Sequence, residues 1–187
     1  MRKIVASLGT SLDGVIGEPW NWPVKDNTEE MDKTFWSLVD SSDTILMGRE
    51  TYEQFAEYWS HEEGVRTEQV KRIPLMEKIR KYVVSTTLKT AEWANTTVIS
   101  GNVAEEITKL KRSSGRNIII PASATLVEWM LHQGLLDELH LFTFPIVLGS
   151  GKRLFKERSG QLVLKLVSAD TLSNDIVHLV YRPMTMS

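Results

Sequence analysis

Short runs of β-branched and other apolar residues recur along this chain, and most of them are followed by a segment able to form a helix. Lys3–Leu8, Thr44–Met47, Tyr82–Ser85, Thr97–Ser100 and Asn117–Ile120 are such runs. They are continuous rather than alternating, which is how a strand reads when helices cover both of its faces. Asn102–Arg112 places Val103, Ile107 and Leu110 at helical spacing, and Asn102 with Glu105 has the spacing of a capping box. Thr125 with Glu128 is a second such pair, heading a helix that turns Leu126, Met130 and Leu131 toward a core. Strands alternating with helices predict parallel βαβ units. The end of the chain reads differently. Glu138–Phe144, Gln161–Ala169 and Asp175–Arg182 are strand-like, with no helix between the last two. Leu162, Leu164 and Leu166 share one face, and Asp170–Asn174 supplies turn residues. The expected fold is α/β: a mixed, mostly parallel sheet with helices on both faces and a C-terminal antiparallel hairpin.

The 187 residues suit a single domain spanning 1–187, with no internal repeat and no linker. Glu57–Arg72, the most polar and least periodic stretch, is expected to be a surface excursion. There is no cysteine, which excludes disulfides, thiolate metal sites and a cysteine nucleophile. A net charge of -2 argues against general nucleic-acid binding, which leaves a basic footprint. No apolar run reaches the roughly 18 residues of a membrane span. The apolar start at Ile4–Leu8 breaks at Gly9-Thr10-Ser11, too early for a secretory leader, so a first strand and a cytoplasmic location are expected. His61, His132, His140 and His178 show no metal-ligand spacing. Asp13 is expected to cap a turn or to order the first loop.

In open α/β sheets, ligands bind beyond the carboxyl ends of the strands, where the amides of following helices face outward. Three junctions have the composition for an anion. At Met47-Gly48-Arg49-Glu50-Thr51-Tyr52, Gly48 permits close backbone approach, Arg49 supplies a guanidinium and Thr51 a hydroxyl. Ile120-Pro121-Ala122-Ser123-Ala124-Thr125 joins a strand to a helix with small residues, and Ser85-Thr86-Thr87 is rich in hydroxyls. Taken alone, such a junction is more often plain architecture.

The segment Ser7–Gly17 resembles the opening of dihydrofolate reductase-like proteins, and Ile45–Tyr52 resembles that family's cofactor-binding strand and helix start. Gly134-Leu135-Leu136-Asp137-Glu138-Leu139, followed by Pro145–Phe155, resembles the branch typified by the C-terminal reductase domain of bifunctional riboflavin-biosynthesis proteins. The likeness runs along nearly the whole chain in the family's order. It implies a three-layer dihydrofolate reductase-like fold, NADPH as cofactor and a small-molecule substrate. The branch suggests a stand-alone 5-amino-6-(5-phosphoribosylamino)uracil reductase.

Carried over position by position, the resemblance assigns Gly48, Arg49 and Thr51 to the cofactor's phosphates and Ser85 and Thr86 to its adenosine phosphate. Ser123, Ala124, Thr125 and Leu126 would meet the pyrophosphate at a helix start, while Ala6, Ile16 and Gly17 would line the nicotinamide pocket. The loop Leu148–Phe155 would close over the site or support its floor, with Gly149 and Gly151 suited to a backbone passing close to something. Two departures stand out: Pro121-Ala122 where relatives carry glycine, and Thr86 where many carry arginine.

Hydride reduction also needs a proton. Counting back from Gly48-Arg49 places Asp32 at the family's acid, with Phe35 and Trp36 as pocket walls. Counting forward from Trp20-Asn21-Trp22-Pro23 points instead to Lys25 or Asp26. Asp32 is preferred because Phe35 lies one turn along on the same face, although the acidic residues here also suit the first turn of any helix. Three other readings stay open: a pterin-type reductase, a catalytically silent nucleotide-binding protein, and a structural domain. In the last, Asp137–Phe144 would be the interface strand of a homodimer.

Overall fold

A computed structural model of the protein describes residues 1–16, 22, 29–60, 65–155 and 160–184. In chain order the elements are β1 (Ile4–Ser11), α1 (Glu29–Asp40), β2 (Ser42–Gly48), α2 (Arg49–Ser60), α3 (Ile73–Lys78), β3 (Arg80–Val84) and β4 (Thr96–Ile99). There follow α4 (Val103–Arg112), β5 (Asn117–Pro121), α5 (Ala124–His132), β6 (Glu138–Phe144), β7 (Leu164–Thr171) and β8 (Val177–Pro183). The eight strands form one sheet in the order β4-β3-β2-β5-β1-β6-β8-β7. All neighbours from β4 to β6 are parallel, and β8 and β7 are antiparallel. The mixed sheet and C-terminal hairpin are as the sequence predicts.

The continuous apolar runs are buried from both sides. Ile4, Ala6, Leu8, Leu46, Ile118 and Ile120 point to one face and pack against Ile107 of α4 and Val127 and Met130 of α5. Ile45, Met47, Val83 and Ile119 point to the other and meet Trp36 and Val39 of α1, Tyr52 and Trp59 of α2, and Met76 of α3. The result is three layers. Among the described residues no helix is long and apolar enough to cross a membrane.

Several local expectations are corrected. Asn102 and Ser123, which precede α4 and α5, have left-handed backbones and make no side-chain cap hydrogen bond. A capping side chain works from an extended backbone, so neither predicted capping box forms. Glu105 bonds to Lys109 instead, and Thr125 lies inside the first turn of α5. The polar stretch Glu57–Arg72 is not wholly a surface excursion. Its few large apolar residues anchor it: α2 continues to Ser60, a short 3-10 turn covers Thr67–Arg72, and Trp59 and Val65 are buried. The final hairpin turns slightly later than expected, through Ser173–Asp175, with Leu172 N–H donating to Ile176 C=O. Strand β6 lies between β1 and β8, so Asp137–Phe144 is interior to the sheet and cannot be an interface edge.

Two histidines far apart in sequence meet across β6 and β8. His140 Nδ1 lies 3.0 Å from His178 Nε2, and the His178 ring stacks on Phe142 at 4.7 Å. Among the described residues His140 Nε2 is buried without a hydrogen-bond partner, with Glu138 Oε2 at 3.7 Å. Burial, then the neighbouring His178, pushes His140 down to about 4, and burial lowers His178 as well. A depressed histidine makes the folded state bind fewer protons than the unfolded one. Its contribution is therefore complete above the ordinary value of 6.5 and is lost as pH falls toward about 4. Denaturant unfolding should show stability declining over that window, with His140 titrating near its lower end by NMR. A His140 that titrates near 6.5 would contradict this packing.

Candidate functional site

From β2 the chain runs through α2 to β3, on one side; from β5 it runs through α5 past β1 to β6, on the other. Because β2 and β5 are neighbours, the order of connection reverses between them. A crevice opens at such a reversal, outside the carboxyl ends of the two strands, with α2 on one face and α5 on the other.

The two helix starts are joined directly. The Gly48 amide donates to Ser123 Oγ at 3.1 Å. A Cβ on Gly48 would meet nothing within 4 Å, so the protein's own packing leaves that position open. Arg49 begins α2 with its guanidinium exposed, 3.0 Å from Glu53 one turn on. Thr51 is more than nine-tenths buried, at 6% exposure, yet its hydroxyl has no partner among the described residues. On the α5 side the first helical bond runs from Val127 N–H to Ser123 C=O at 3.0 Å. The amides of Ala124, Thr125 and Leu126 are thus the ones a helix start cannot satisfy internally, and no side chain caps them. The side chains of Ala124 and Leu126 are buried in the core, so these residues offer backbone alone.

The turn into α5 is strained. Ala122 and Ser123 have φ of 51° and 53°, two consecutive non-glycine residues in the left-handed region. The turn is pinned by the Ala122 amide, which donates to the Ser7 carbonyl at 2.8 Å. The departure Pro121-Ala122 therefore leaves in place the left-handed backbone that glycine would favour.

A second loop flanks the crevice. The Asp13 carboxylate accepts from Ser11 Oγ at 2.7 Å, the Leu148 amide at 3.1 Å and the Gly149 amide at 2.9 Å. These hydrogen bonds, Ser11 first, hold its carboxyl down to about 2. Val15 and Arg153 form an antiparallel bridge, and Ile16 N–H donates to the Lys152 carbonyl at 2.7 Å. Gly151 passes so close that a Cβ there would stand 2.6 Å from Val15 Cγ1. From this fastened segment Lys152 Nζ reaches Glu50 Oε2 in the first turn of α2, at 3.0 Å. Loop 148–155 thus touches the rim of the crevice, and the Lys152 ammonium holds the Glu50 carboxyl below its ordinary range.

The remaining expected residues fall in different places. Gly48 pairs with Val84, so Ser85 and Thr86 lie just beyond the end of β3, beside the start of α2. The Ser85 hydroxyl is already engaged, accepting from the Thr87 amide at 3.2 Å and the Leu88 amide at 2.9 Å, whereas Thr86 is exposed. The side chains of Ala6 and Ile16 belong to the core on the α4–α5 face. Gly17, Lys25 and Asp26 lie outside the described residues. Asp32, in the first turn of α1, forms an ion pair with Arg66 at 2.5 Å, from a stretch whose sequence gave no functional signal. Trp36, expected as a pocket wall, is buried against Trp59 with ring centroids 5.8 Å apart. A shallow hollow at the opposite, amino end of the strands is lined by Met1, Arg2 and Arg112. Arg2 is committed there to Asp43, Thr44 and the Arg116 carbonyl, so it clamps strands together.

Replacing a left-handed alanine with glycine removes a conformational penalty of about 1–2 kcal/mol and adds back part of it as unfolded-chain entropy. Ala122→Gly is therefore expected to stabilise the fold by ~0.5–1 kcal/mol in denaturant unfolding. A destabilised variant would contradict the strained turn.

Residues 2–178 match the sequence profile of the RibD C-terminal domain. The chain is 34% identical over 181 residues to the uncharacterized protein YyaP of Bacillus subtilis (strain 168), covering 96% of this chain and 94% of that protein. Among solved structures it resembles a protein of Shewanella sp. PV-4 named for riboflavin biosynthesis, with a TM-score of 0.76 and 21% identity over 97% of this chain and 99% of that one. It also resembles the dihydrofolate reductase of Enterococcus faecalis, solved with NADP(H), with a TM-score of 0.60 and 15% identity over 97% and 96% of the two chains.

Proposed function

The chain belongs to the RibD C-terminal domain family, a family of riboflavin-pathway-type reductases, and from that premise we propose that it is an NADPH-dependent reductase acting on a phosphoribosylamino-pyrimidine such as 5-amino-6-(5-phosphoribosylamino)uracil. One observation carries the reading: the Gly48–Ser123 hydrogen bond sets two helix starts side by side where the strand order reverses. Aligned amides and helix dipoles favour the phosphates of a dinucleotide at such a place. The open position at Gly48, the unpartnered Thr51 hydroxyl and the uncapped start of α5 fit that group.

In this reading Arg49 and Thr51 hold phosphate at α2, and the amides of Ala124 to Leu126 hold the pyrophosphate at α5. Ser85 orders the turn after β3 and Thr86 presents its exposed hydroxyl to the adenosine phosphate. The backbones of Ala6 and Ile16 border the nicotinamide. When bound, the reduced nicotinamide supplies a hydride. Glu50 would repel a phosphate, and Lys152 offsets its charge. Asp32 is assigned to the proton: Arg66 engages one carboxylate oxygen, and the other, after taking up a proton from solvent, gives it to the substrate atom on which negative charge develops as the hydride arrives.

Both parts are testable. NADPH at about 100 times its dissociation constant should stabilise the fold by roughly 2.7 kcal/mol, visible as a thermal shift. The absence of any shift with millimolar NADPH or NADH would defeat the reductase reading. Turnover of the phosphoribosyl pyrimidine, with dihydrofolate untouched, is the expected specificity. Asp32→Asn should lower the hydride-transfer rate by about 10²-fold or more while leaving cofactor affinity alone; an unchanged rate would remove Asp32 from the mechanism.

A further inference from the structure

Two neighbouring cations on loop 148–155 are used in opposite ways. Arg153 turns back on the segment after β1 and donates to the Asp13 carbonyl. Lys152 reaches outward across the rim, with Nζ 3.0 Å from Glu50 Oε2 at the second position of α2. Both side chains of that pair are about half-exposed or more, and a surface ion pair of this kind adds little stability. The backbone that carries Lys152 is fixed far more firmly than such a contact needs. The Lys152 carbonyl accepts from the Ile16 amide at 2.7 Å, and the Leu154 amide donates to the Gly14 carbonyl at 3.1 Å. Gly151 runs too close to Val15 to carry a side chain.

Lys152 therefore touches both halves of the crevice. Its backbone is tied to Ile16, on the side given above to the nicotinamide, and its ammonium stands at the start of α2, on the side given to phosphate. The diphosphate of a dinucleotide joins those two halves and has to pass between them. Glu50 is the one carboxylate in the first turn of α2, where a helix start favours an anion. A diphosphate brings more negative charge and more acceptor oxygens than that carboxylate, so it is the stronger partner for an ammonium. Lysine is a point charge on a flexible stem, able to change partners by side-chain rotation while its backbone stays fixed.

On the cofactor placement proposed above, we propose that Lys152 is itself a cofactor-binding residue: it leaves Glu50 and binds the dinucleotide diphosphate directly. Glu50 is its partner while the cradle is empty. Lys152 then does more than offset a neighbouring charge, and it belongs to the cradle together with the starts of α2 and α5.

Dissociation constants for NADPH and NADH, measured by calorimetry, test this without turnover. Lys152→Met should weaken NADPH about tenfold or more, whereas Lys152→Arg, which keeps the charge, should lose far less. The loss should be equal for NADH, which shares the diphosphate; a loss confined to NADPH would overturn the assignment to that group. Glu50→Gln should tighten binding, because no carboxylate then holds the lysine back. In that background Lys152→Met should still cost about tenfold. A double variant that binds as tightly as Glu50→Gln alone would show Lys152 to be only a counter-charge and would overturn the proposal. So would a Lys152→Met single variant with wild-type affinity. These results leave the reductase reading standing, since the wild type still binds NADPH; a wild type that binds neither coenzyme removes both.

Discussion

Burial of β2, β5 and β1 beneath helices on both faces is the constraint from which the rest of this structure follows. Strands covered on both sides must be largely apolar and must find their backbone partners within the sheet. Neighbours can then be parallel only if the chain crosses over between them, and it does so through a helix everywhere except from β3 to β4. Each helical crossover leaves a helix start with amides that the helix cannot satisfy. Two such starts, at Arg49 and Ala124, become neighbours because β2 and β5 are paired while their connections diverge.

That arrangement concentrates unmet backbone polarity in one place, and the local details preserve it. Ser123 spends its hydroxyl oxygen on Gly48 rather than on capping its own helix. Ala122 and Ser123 hold a left-handed turn that their side chains disfavour, which is the kind of strain folded proteins retain at binding sites. Around the rim, Asp13 orders loop 148–155, and Lys152 balances the one carboxylate in the first turn of α2. The pairing of the two helix starts is therefore a consequence of topology, trimmed by a few side chains.

The architecture was legible because continuous apolar runs and helical spacing report burial directly. The junctions at Gly48–Thr51 and Ala122–Leu126 were legible for the same reason, since a strand running into a helix is a local pattern. What escaped were long-range pairings: Arg66 with Asp32, Lys152 with Glu50, and His140 with His178. No spacing rule links residues that the sheet brings together from distant segments. Lys81 is similar: next to Arg80 and just ahead of the run Tyr82–Ser85 it reads as a solvated charge, yet it is fully buried and donates to the carbonyls of Ile79 and Ala94. The capping boxes failed because spacing carries no information about the backbone conformation a cap requires, and the interface strand failed because strand order is not sequence order.

The central claim is that the starts of α2 and α5 form one anion-binding cradle. Titrating NADPH into isotope-labelled protein and following amide resonances tests it most directly. Saturable shifts are expected, centred on Gly48 to Thr51 and on Ala122 to Leu126 and moving together with one affinity. Resonances that stay still there, or that move instead around Arg2 and Arg112 at the far end of the sheet, would contradict it.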